Sequence, residues 1–540
     1  MTLLRREPAL GATILALVAL LAVFVVLPQL QVVIAPGPGG YATVLSENGS
    51  WPGAIRNSVV VTLLSTTTAV ALGFLYAYAM VYSDMPWKPF FRVLAFLPLL
   101  SPPFVVAFSY ILLFGPRGLI TFGLLGTSPN ILGLSGLWGV QTVAFFPYAY
   151  QLIADVLSRS EARLEQAAHN LGAGQWRVFW TITLPLARPG LLAATLLVAI
   201  YVLEDFGNPA LIAGQYTVLP TLAYGLISGF GDFAGAAVVS TILLAMATVL
   251  YVLRLRLQGG RSYVTVAGRG SSVPRPPVPR PVTVACFAAC LLLAGLILLV
   301  YGVLVVSALV RGFPFNMTPT LVHFEYVGAH VTSLRNSFVY AGVAAICCAL
   351  LAVLLAYVVH RRSWPGRGVV DFVALTPAAV PGIFFGIGYA LTFNQPWLNW
   401  LDRGVLIVIS MIFWNIPVGY QAAAAGLAQI DRSIDEAAAI LGADSLRSFR
   451  DILFPMLRGP FVTGLTTAFV RAITTLSVLI FLFTPPTTVA TITIFQLVND
   501  FNWGGASAFT VSVIGLAVLA IVAVSFLAGR RVRMPEIASA

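Results

Sequence analysis

The chain has 540 residues, of which 59% are hydrophobic and only 9% are charged. Soluble globular proteins carry about 25% charged residues, so this composition excludes a soluble globular protein, and its high hydrophobicity excludes a disordered one. The formal net charge is +11. Because basic residues mark the cytoplasmic side of a membrane protein, this charge does not indicate nucleic acid as a partner.

About twelve apolar runs are long enough to cross a bilayer, which takes about 20 residues. We number them spans 1–12; they lie near residues 9–29, 57–81, 90–113, 131–156, 187–207 and 233–253, and near 282–310, 336–359, 369–392, 404–428, 458–482 and 505–528. The distribution of Lys and Arg assigns both termini and the loops after even-numbered spans to the cytoplasm. The sequence therefore predicts an all-α polytopic membrane protein.

The two halves of the chain repeat each other. The dipeptide Asn-Ser opens span 2 at residue 57 and span 8 at residue 336, an offset of 279 residues, and Pro147 recurs as Pro417 at an offset of 270. Because six spans separate equivalent positions, the two six-helix repeats run parallel, and we expect a pathway between them.

A composition change separates the repeats. Residues 254–281 are rich in Gly, Ser, Pro and Arg, which is typical of a linker. We predict a first repeat at 1–253, a cytoplasmic linker at 254–281 and a second repeat at 282–540.

The longest polar stretches outside the linker, residues 158–190 and 431–460, hold equivalent places in the repeats. Each has an acidic, Ala-rich segment, then Leu-Gly-Ala, then an amphipathic stretch. Ala favours helix, Gly permits a sharp helix end, and a short cytoplasmic helix can fill a groove on a partner. We therefore expect docking helices rather than ordinary loops. The candidate coupling residues are Glu165, Gln166, Ala167, Ala168, Gly172, Asp435, Glu436, Ala437, Ala438 and Gly442.

These two stretches resemble the EAA loops of permease subunits in bacterial ABC importers. Glu436, Ala437, Ala438 and Gly442 fit that family's pattern, whereas Gln166 stands where the family has Glu. The resemblance implies type I ABC importer transmembrane domains in the bacterial inner membrane, surrounded by membrane lipid. It also implies two copies of a cytoplasmic ABC ATPase, which holds ATP and Mg, and a periplasmic or lipid-anchored substrate-binding protein.

Two permease halves fused on one chain resemble the ferric-iron transport permease group. The resemblance implies ferric iron as the cargo, with phosphorylated organic solutes (aminoethylphosphonate or hexose phosphate) as the alternative. An ion-coupled secondary transporter is a rival class, but it would need no docking loops. The only Lys, Lys88, follows no Gly-rich loop, so the chain lacks a Walker A site. We expect no enzyme activity and no cofactor on this chain.

Ionisable residues inside spans are costly and usually functional. Glu204 and Asp205 end span 5, and Arg471 lies in span 11. The carboxylates and Arg471 either face a central pathway, form a structural ion pair between the halves, or, for the carboxylates, lie at the outer surface. We predict no metal site, and we expect one outer loop to contact a binding protein rather than to ligate iron (His323, Glu325 and His330).

Overall fold

A computed structural model describes residues 7–46, 51–159, 162–259, 278–398 and 400–527. Within these ranges, nine helices are long and apolar enough to cross a membrane, and two bent helix pairs raise the number to eleven. The twelfth predicted position, span 4, forms the 26-residue helix Leu134–Arg159. One short antiparallel hairpin, Val310–Gly312 with Asn316–Pro319, interrupts the helices. The predicted all-α class is confirmed.

The helices of the two halves follow the same order. The spans of the first half are Pro8–Ile34, Trp51–Tyr82, Lys88–Phe96 with Phe104–Phe114, Leu134–Arg159, Leu184–Glu204 and Phe233–Gly259. Those of the second half are Arg280–Leu309, Val331–His360, Arg367–Leu375 with Gly382–Phe393, Arg403–Ala428, Arg458–Thr474 and Trp503–Leu527. Of the predicted linker, residues 260–277 lie outside the described residues.

Shorter helices join the spans. The α-helical ones are Gly37–Ser46, Ala162–Asn170, Gln175–Val178, Gly207–Ile212, Leu219–Phe230, His323–Ala329, Ser433–Ile440, Ser445–Ser448, Phe454–Met456 and Ala490–Asn499. Single wider or tighter turns occur at Ala22–Val26, Leu97–Leu100, Leu119–Leu124, Phe179–Thr183, Thr376–Ala378, Pro396–Leu398, Phe449–Leu453 and Pro485–Thr487.

Spans 3, 9 and 11 are not the continuous helices that their apolar runs predict. Span 3 breaks around Pro98 and Pro102, and the two parts of span 9 meet at 111° next to Pro381. Proline lacks the N–H that a helix needs, and its ring clashes with the preceding turn. Span 11 ends at Thr474, short of the predicted residue 482, and the chain continues in turns.

Small residues allow spans 2 and 4 to cross closely. A Cβ atom on Gly73 of span 2 would lie 2.6 Å from the Cβ of Ala149 on span 4. At the equivalent crossing of spans 8 and 10 the glycine is on the other helix, since a Cβ on Gly419 would lie 2.8 Å from that of Ala352. Membrane helices associate through such close backbone approaches. The same close crossing thus occurs in both halves, but the glycine and the alanine have exchanged helices.

The first span of each half packs on the other half. Tyr389 of span 9 donates a 2.7 Å hydrogen bond to the carbonyl of Phe24 in span 1, and the Phe24 ring stacks on Phe413 at 5.1 Å. In the other direction, Tyr301 of span 7 shares a 2.6 Å hydrogen bond with Ser101 of span 3. The halves are interlocked, and spans of both enclose the space between them.

Candidate functional site

A cavity of about 390 Å³ lies between the two halves. Glu204 and Asp205, at the end of span 5, line it from one half, and Arg471 of span 11 lines it from the other. Tyr201, which is equivalent to Arg471 at the offset of 270 residues, also lines it. The structure therefore brings all three predicted pathway residues to one cavity.

Glu204 and Asp205 are neighbours with different surroundings. Both oxygens of Asp205 accept hydrogen bonds, one from the Gln141 amide at 3.0 Å and from the Asn208 amide at 2.9 Å, the other from the Asn208 backbone N–H at 3.3 Å. Ser65 donates to Gln141 in turn, at 3.1 Å. By contrast, Oε1 of Glu204 is buried without a hydrogen-bond partner. Asp205 thus ties spans 2, 4 and 5 together, whereas Glu204 presents an unsatisfied oxygen.

Arg471 lies close enough to Glu204 for their charges to interact. Among the described residues, however, the ion pairs within 4.0 Å are all located elsewhere, so neither Glu204 nor Asp205 forms a salt bridge with Arg471. The structural ion pair considered from the sequence is absent in this conformation. The guanidinium and the carboxylate therefore line the cavity as separate groups.

The cavity also has polar residues that the sequence reasoning missed. Gln151 of span 4 and Gln421 of span 10 line it, and they are equivalent at the offset of 270. Their occurrence at matched positions inside two apolar spans is the sequence signal that could have identified them. Arg254, assigned from sequence to the linker, lines the cavity too. Because spans 5 and 6 are antiparallel, Arg254 and Glu204 lie toward opposite ends of the cavity.

Aromatic rings from both halves cover the end of the cavity near Glu204. Phe104 and Phe206 line the cavity. Phe206 lies 5.0 Å from Tyr224 and 6.0 Å from Phe495, between ring centroids, and Phe104 lies 6.1 Å from Phe495. Tyr224 contacts Phe481 at 6.1 Å. We call these five residues the aromatic cover. Phe104 begins the second part of span 3, and Tyr224 and Phe495 lie in the short helices after spans 5 and 11. Phe206 and Phe481 lie in the non-helical segments that directly follow those two spans.

The two predicted coupling loops have the same backbone shape. A short helix, Ala162–Asn170 or Ser433–Ile440, is followed by a glycine, Gly172 or Gly442, with φ at +82° in both loops. This left-handed conformation is one that only glycine adopts without strain.

The leucine before each of these glycines is almost fully exposed. Leu171 is 88% exposed and Leu441 is 86% exposed. Each loop therefore presents an exposed leucine at its tip, at equivalent positions, and in the second loop the neighbouring Ile440 is 86% exposed as well. Of the other predicted coupling residues, Ala167, Glu436 and Ala437 are exposed, Gln166 and Ala168 are half-buried, and Ala438 is buried.

The acidic residues Glu165 and Asp435 face inward instead. Glu165 is 3% exposed and accepts a 2.8 Å hydrogen bond from Tyr82 at the end of span 2. Asp435 pairs with Arg361, at the end of span 8, over 3.2 Å. Tyr82 and Arg361 are equivalent at the offset of 279, as Glu165 and Asp435 are at 270. Each loop is thus held at the C-terminal end of the equivalent helix, span 2 or span 8. The contact is a hydrogen bond in the first half and an ion pair in the second.

A second contact lies one turn earlier on each of these helices. Gln175 donates to the Tyr78 hydroxyl at 3.4 Å, and Tyr357 donates to the Ser445 carbonyl at 2.8 Å. Tyr78 and Tyr357 are again equivalent. Each loop is therefore held at two points, and its tip is left exposed.

The two histidines of the predicted outer loop form hydrogen bonds within the fold. His323 is 2.9 Å from the Val310 carbonyl through Nε2, and His330 is 2.9 Å from the Tyr326 carbonyl through Nδ1. Within the described ranges, no group of three or more His, Cys, Asp or Glu side chains is arranged to hold a metal ion.

Comparison with known proteins places the chain in a family. Residues 69–259 and 348–533 each match the family described as the binding-protein-dependent transport system inner membrane component. The second match begins 279 residues after the first, which is the offset that relates the repeats.

Among its relatives are two ferric transport permeases and a molybdenum transport permease. The ferric transport system permease protein FbpB of Actinobacillus pleuropneumoniae is 32% identical over 445 residues, 80% of this chain and 64% of the relative. The putative ferric transport system permease protein FbpB 1 of Haemophilus influenzae is 33% identical over 414 residues, 74% of this chain and 65% of the relative. The molybdenum transport system permease protein ModB of Escherichia coli K12 is 33% identical over 202 residues, 36% of this chain and 88% of the relative.

The chain thus spans somewhat less than two thirds of the length of the two ferric transport relatives. Its two matched segments together cover more than half of its own length. This chain belongs to the family of inner membrane components of binding-protein-dependent transport systems, and it carries the family's domain twice.

Proposed function

We propose that this chain is the membrane-spanning subunit of an ATP-driven importer, with two copies of a cytoplasmic ABC ATPase docked on its coupling loops. The observation that carries this proposal is the pair of loops with identical glycine conformations and exposed leucine tips at Leu171 and Leu441. An exposed apolar side chain on a short helix is suited to a groove on a partner. The two equivalent tips match two copies of one ATPase.

In this proposal, the chain binds and releases cargo but performs no covalent chemistry. ATP and Mg would bind to the ATPase, and a periplasmic or lipid-anchored binding protein would deliver cargo to the outer side. In this proposal the aromatic cover, two of whose rings line the cavity, is the gate through which cargo enters when the rings separate. The repeats would be 1–253 and 282–540, joined by a cytoplasmic linker, with both termini in the cytoplasm.

We propose ferric iron as the cargo. Two relatives are named as ferric transport permeases, and the cavity contains Glu204 with a buried carboxylate oxygen that lacks a partner. Oxygen ligands suit hard cations, and a single carboxylate binds such an ion only transiently. Transient contact is what a pathway needs, because cargo must leave as well as enter.

An anionic cargo is the second candidate. Arg254 and Arg471 both line the cavity, and a guanidinium group matches the geometry of phosphate and other oxyanions. One relative is named as a molybdenum transport permease. Phosphorylated organic solutes such as aminoethylphosphonate or hexose phosphate therefore remain the alternative cargo.

The test is uptake into proteoliposomes that contain this chain, its ATPase and its binding protein. We expect ATP-dependent uptake of ferric iron and none of aminoethylphosphonate, hexose phosphate or molybdate. Uptake of an anion without iron would overturn the iron assignment. Uptake that proceeds without ATP would overturn the importer and favour an ion-coupled secondary transporter.

A further inference from the structure

Spans 2 and 8 connect the predicted cytoplasmic side to the predicted outer side without interruption, as spans 6, 7 and 12 also do. They contain 32 and 30 residues, Trp51–Tyr82 and Val331–His360, with no proline beyond the first turn. The neighbouring spans 3, 4, 5, 9 and 10 each contain a proline or a break. Proline and breaks let a helix bend, so spans 2 and 8 are stiffer than these neighbours. They differ from spans 6, 7 and 12 in their contacts: one end bonds to a predicted coupling loop and the other to the segment after span 5 or span 11.

The inner ends of these helices hold the coupling loops. Tyr82 donates to Glu165 at 2.8 Å in a buried contact, and Arg361 pairs with Asp435 at 3.2 Å. Arg361 also donates to the Leu427 carbonyl at 2.8 Å. A loop held by buried hydrogen bonds moves together with the helix end that holds it.

The outer ends of the same helices hold the segments after spans 5 and 11. The hydroxyl of Ser58 accepts a 2.9 Å hydrogen bond from the backbone N–H of Leu219, and Ser337 accepts one of 2.6 Å from Ala490. These N–H groups open the helices Leu219–Phe230 and Ala490–Asn499, and each would otherwise lack a partner.

The asparagines before these serines make the same connection. Asn57 donates to the Thr217 carbonyl at 3.0 Å, and Asn336 donates to the Pro486 carbonyl at 3.0 Å. The repeated Asn-Ser dipeptide is therefore a joint between a long helix and a short outer helix, made the same way in both halves.

The two short outer helices each supply one ring of the aromatic cover. Tyr224 lies in Leu219–Phe230 and Phe495 lies in Ala490–Asn499. On each of these helices, the inner contact and the outer serine are 24 residues apart (Ser58 to Tyr82 and Ser337 to Arg361), or about 36 Å at 1.5 Å per residue. A continuous set of contacts thus runs from each predicted coupling loop, along one uninterrupted helix, to the aromatic cover at the end of the cavity.

We propose that spans 2 and 8 are the mechanical links that convert movement of the docked ATPase into opening of the aromatic cover, with Ser58 and Ser337 as their outer joints and the Tyr82–Glu165 and Arg361–Asp435 contacts as their inner joints. This inference rests on the proposed function, because it assumes that an ATPase moves the loops. All of these residues are positioning residues.

The test deletes single polar groups at each joint. The outer variant is Ser58→Ala with Ser337→Ala, and the inner variant is Tyr82→Phe with Asp435→Asn. The matched control is Tyr76→Phe, because Tyr76 lies on span 2 and its buried hydroxyl donates at 2.7 Å to the Phe91 carbonyl, away from both joints. If the outer variant does not fold, Asn57→Ala with Asn336→Ala tests the same joint.

The readout is the cargo taken up per ATP hydrolysed in the reconstituted complex. We expect this ratio to fall about five-fold or more in the inner and outer variants, the size of a typical coupling between sites, while ATP hydrolysis persists. The control should keep the wild-type ratio. Uptake and hydrolysis that fall in equal proportion, or a ratio unchanged in both variants, would overturn the linkage. Wild-type protein without ATP-dependent uptake would instead overturn the proposed function.

A distance measurement checks the movement directly. Phe230 and Phe501 end the two outer segments and are 84% and 75% exposed, so each accepts a spin label through Phe→Cys after the four native cysteines are replaced by alanine. ATP should change the distance between the labels in the wild-type background and in Tyr76→Phe. An equal change in the inner and outer variants would contradict the proposal.

Discussion

At the scale of single residues, two carboxylates that are adjacent in the sequence have different surroundings at the cavity. Asp205 is 8% exposed and both of its oxygens accept hydrogen bonds from Gln141 or Asn208. Glu204 keeps one buried oxygen without a partner. We therefore infer that Asp205 stabilises the fold and that Glu204 is free to meet cargo.

Substitution with the matching amides distinguishes these roles. We expect Asp205→Asn to cost about 1–3 kcal/mol of stability, because the new NH₂ group would oppose the donors of Gln141 and Asn208. Glu204→Gln should leave the melting temperature unchanged or higher, because it removes a poorly solvated charge, and should lower iron uptake about ten-fold, equivalent to 1.4 kcal/mol. Thermal unfolding in detergent and proteoliposome uptake measure the two effects. Equal melting temperatures for both variants would contradict the assignment, and undiminished uptake by Glu204→Gln would favour an anionic cargo.

The charge of Arg471 gives a second prediction. Because Glu204 and Arg471 form no salt bridge within 4.0 Å in the structure, exchanging their charges does not rebuild a lost pair. We expect Glu204→Arg with Arg471→Glu to take up no more cargo than Arg471→Glu alone. The measurement is initial uptake by the double variant beside both single variants. Restored uptake would mean that the pair forms in another state of the transport cycle and is structural.

At the scale of elements, the predicted coupling loops depend on one backbone conformation. Gly172 and Gly442 both have φ at +82°, and a Cβ there would contact nothing within 4 Å. The constraint is therefore conformational rather than steric. It turns the chain sharply so that Leu171 and Leu441 form the tips.

Alanine at these glycines tests the loop geometry. An L-residue in the left-handed region costs about 1–2 kcal/mol, so Gly172→Ala with Gly442→Ala should weaken ATPase binding about five- to thirty-fold at each loop. Gly174 is the control, because it lies in the same loop with φ at −68° and open space around it. Affinity of the ATPase for detergent-solubilised protein is the measurement. If Gly174→Ala weakened binding as much as the double variant, the left-handed turn would not be the cause.

At the scale of the whole molecule, the first span of each half packs against the other half. Span 1 contacts Tyr389 and Phe413 of the second half, and span 7 contacts Ser101 of the first. Membrane helices pack through such van der Waals contacts and hydrogen bonds. The covalent connection between the halves is therefore not needed to keep them together.

This arrangement predicts that a chain cut in the linker still assembles. When residues 1–265 and 266–540 are produced as separate chains, we expect an affinity tag on one to recover the other in equal amounts. Tyr389→Phe with Phe24→Ala should reduce that recovery, whereas Thr67→Ala should not, since Thr67 bonds only within its own helix to the Leu63 carbonyl. Recovery of the tagged half alone would show that the linker holds the molecule together.

Much of the fold and part of the candidate site could be predicted from the sequence. Hydrophobicity and helix length are local properties that add along the chain, so a helix lies at each of the twelve predicted positions. In the described part of the chain, up to eleven of these are long and apolar enough to cross a membrane. The fixed offsets of 279 and 270 residues revealed the repeat and the two polar loops that we predict to be coupling loops. The breaks in span 3 and the early end of span 11 at Thr474 were not predicted, because apolar composition does not reveal where packing interrupts a helix.

The sequence by itself determined that this is a helical membrane protein with two parallel repeats, two equivalent loops and charged groups within its spans. Only the tertiary structure decided that Glu165 faces inward to Tyr82, that Asp205 is satisfied while Glu204 is not, and that the first spans exchange partners. These outcomes depend on which helix faces meet. In an apolar chain nearly every face is compatible with lipid, so the sequence pattern leaves that choice open and close packing between distant segments makes it.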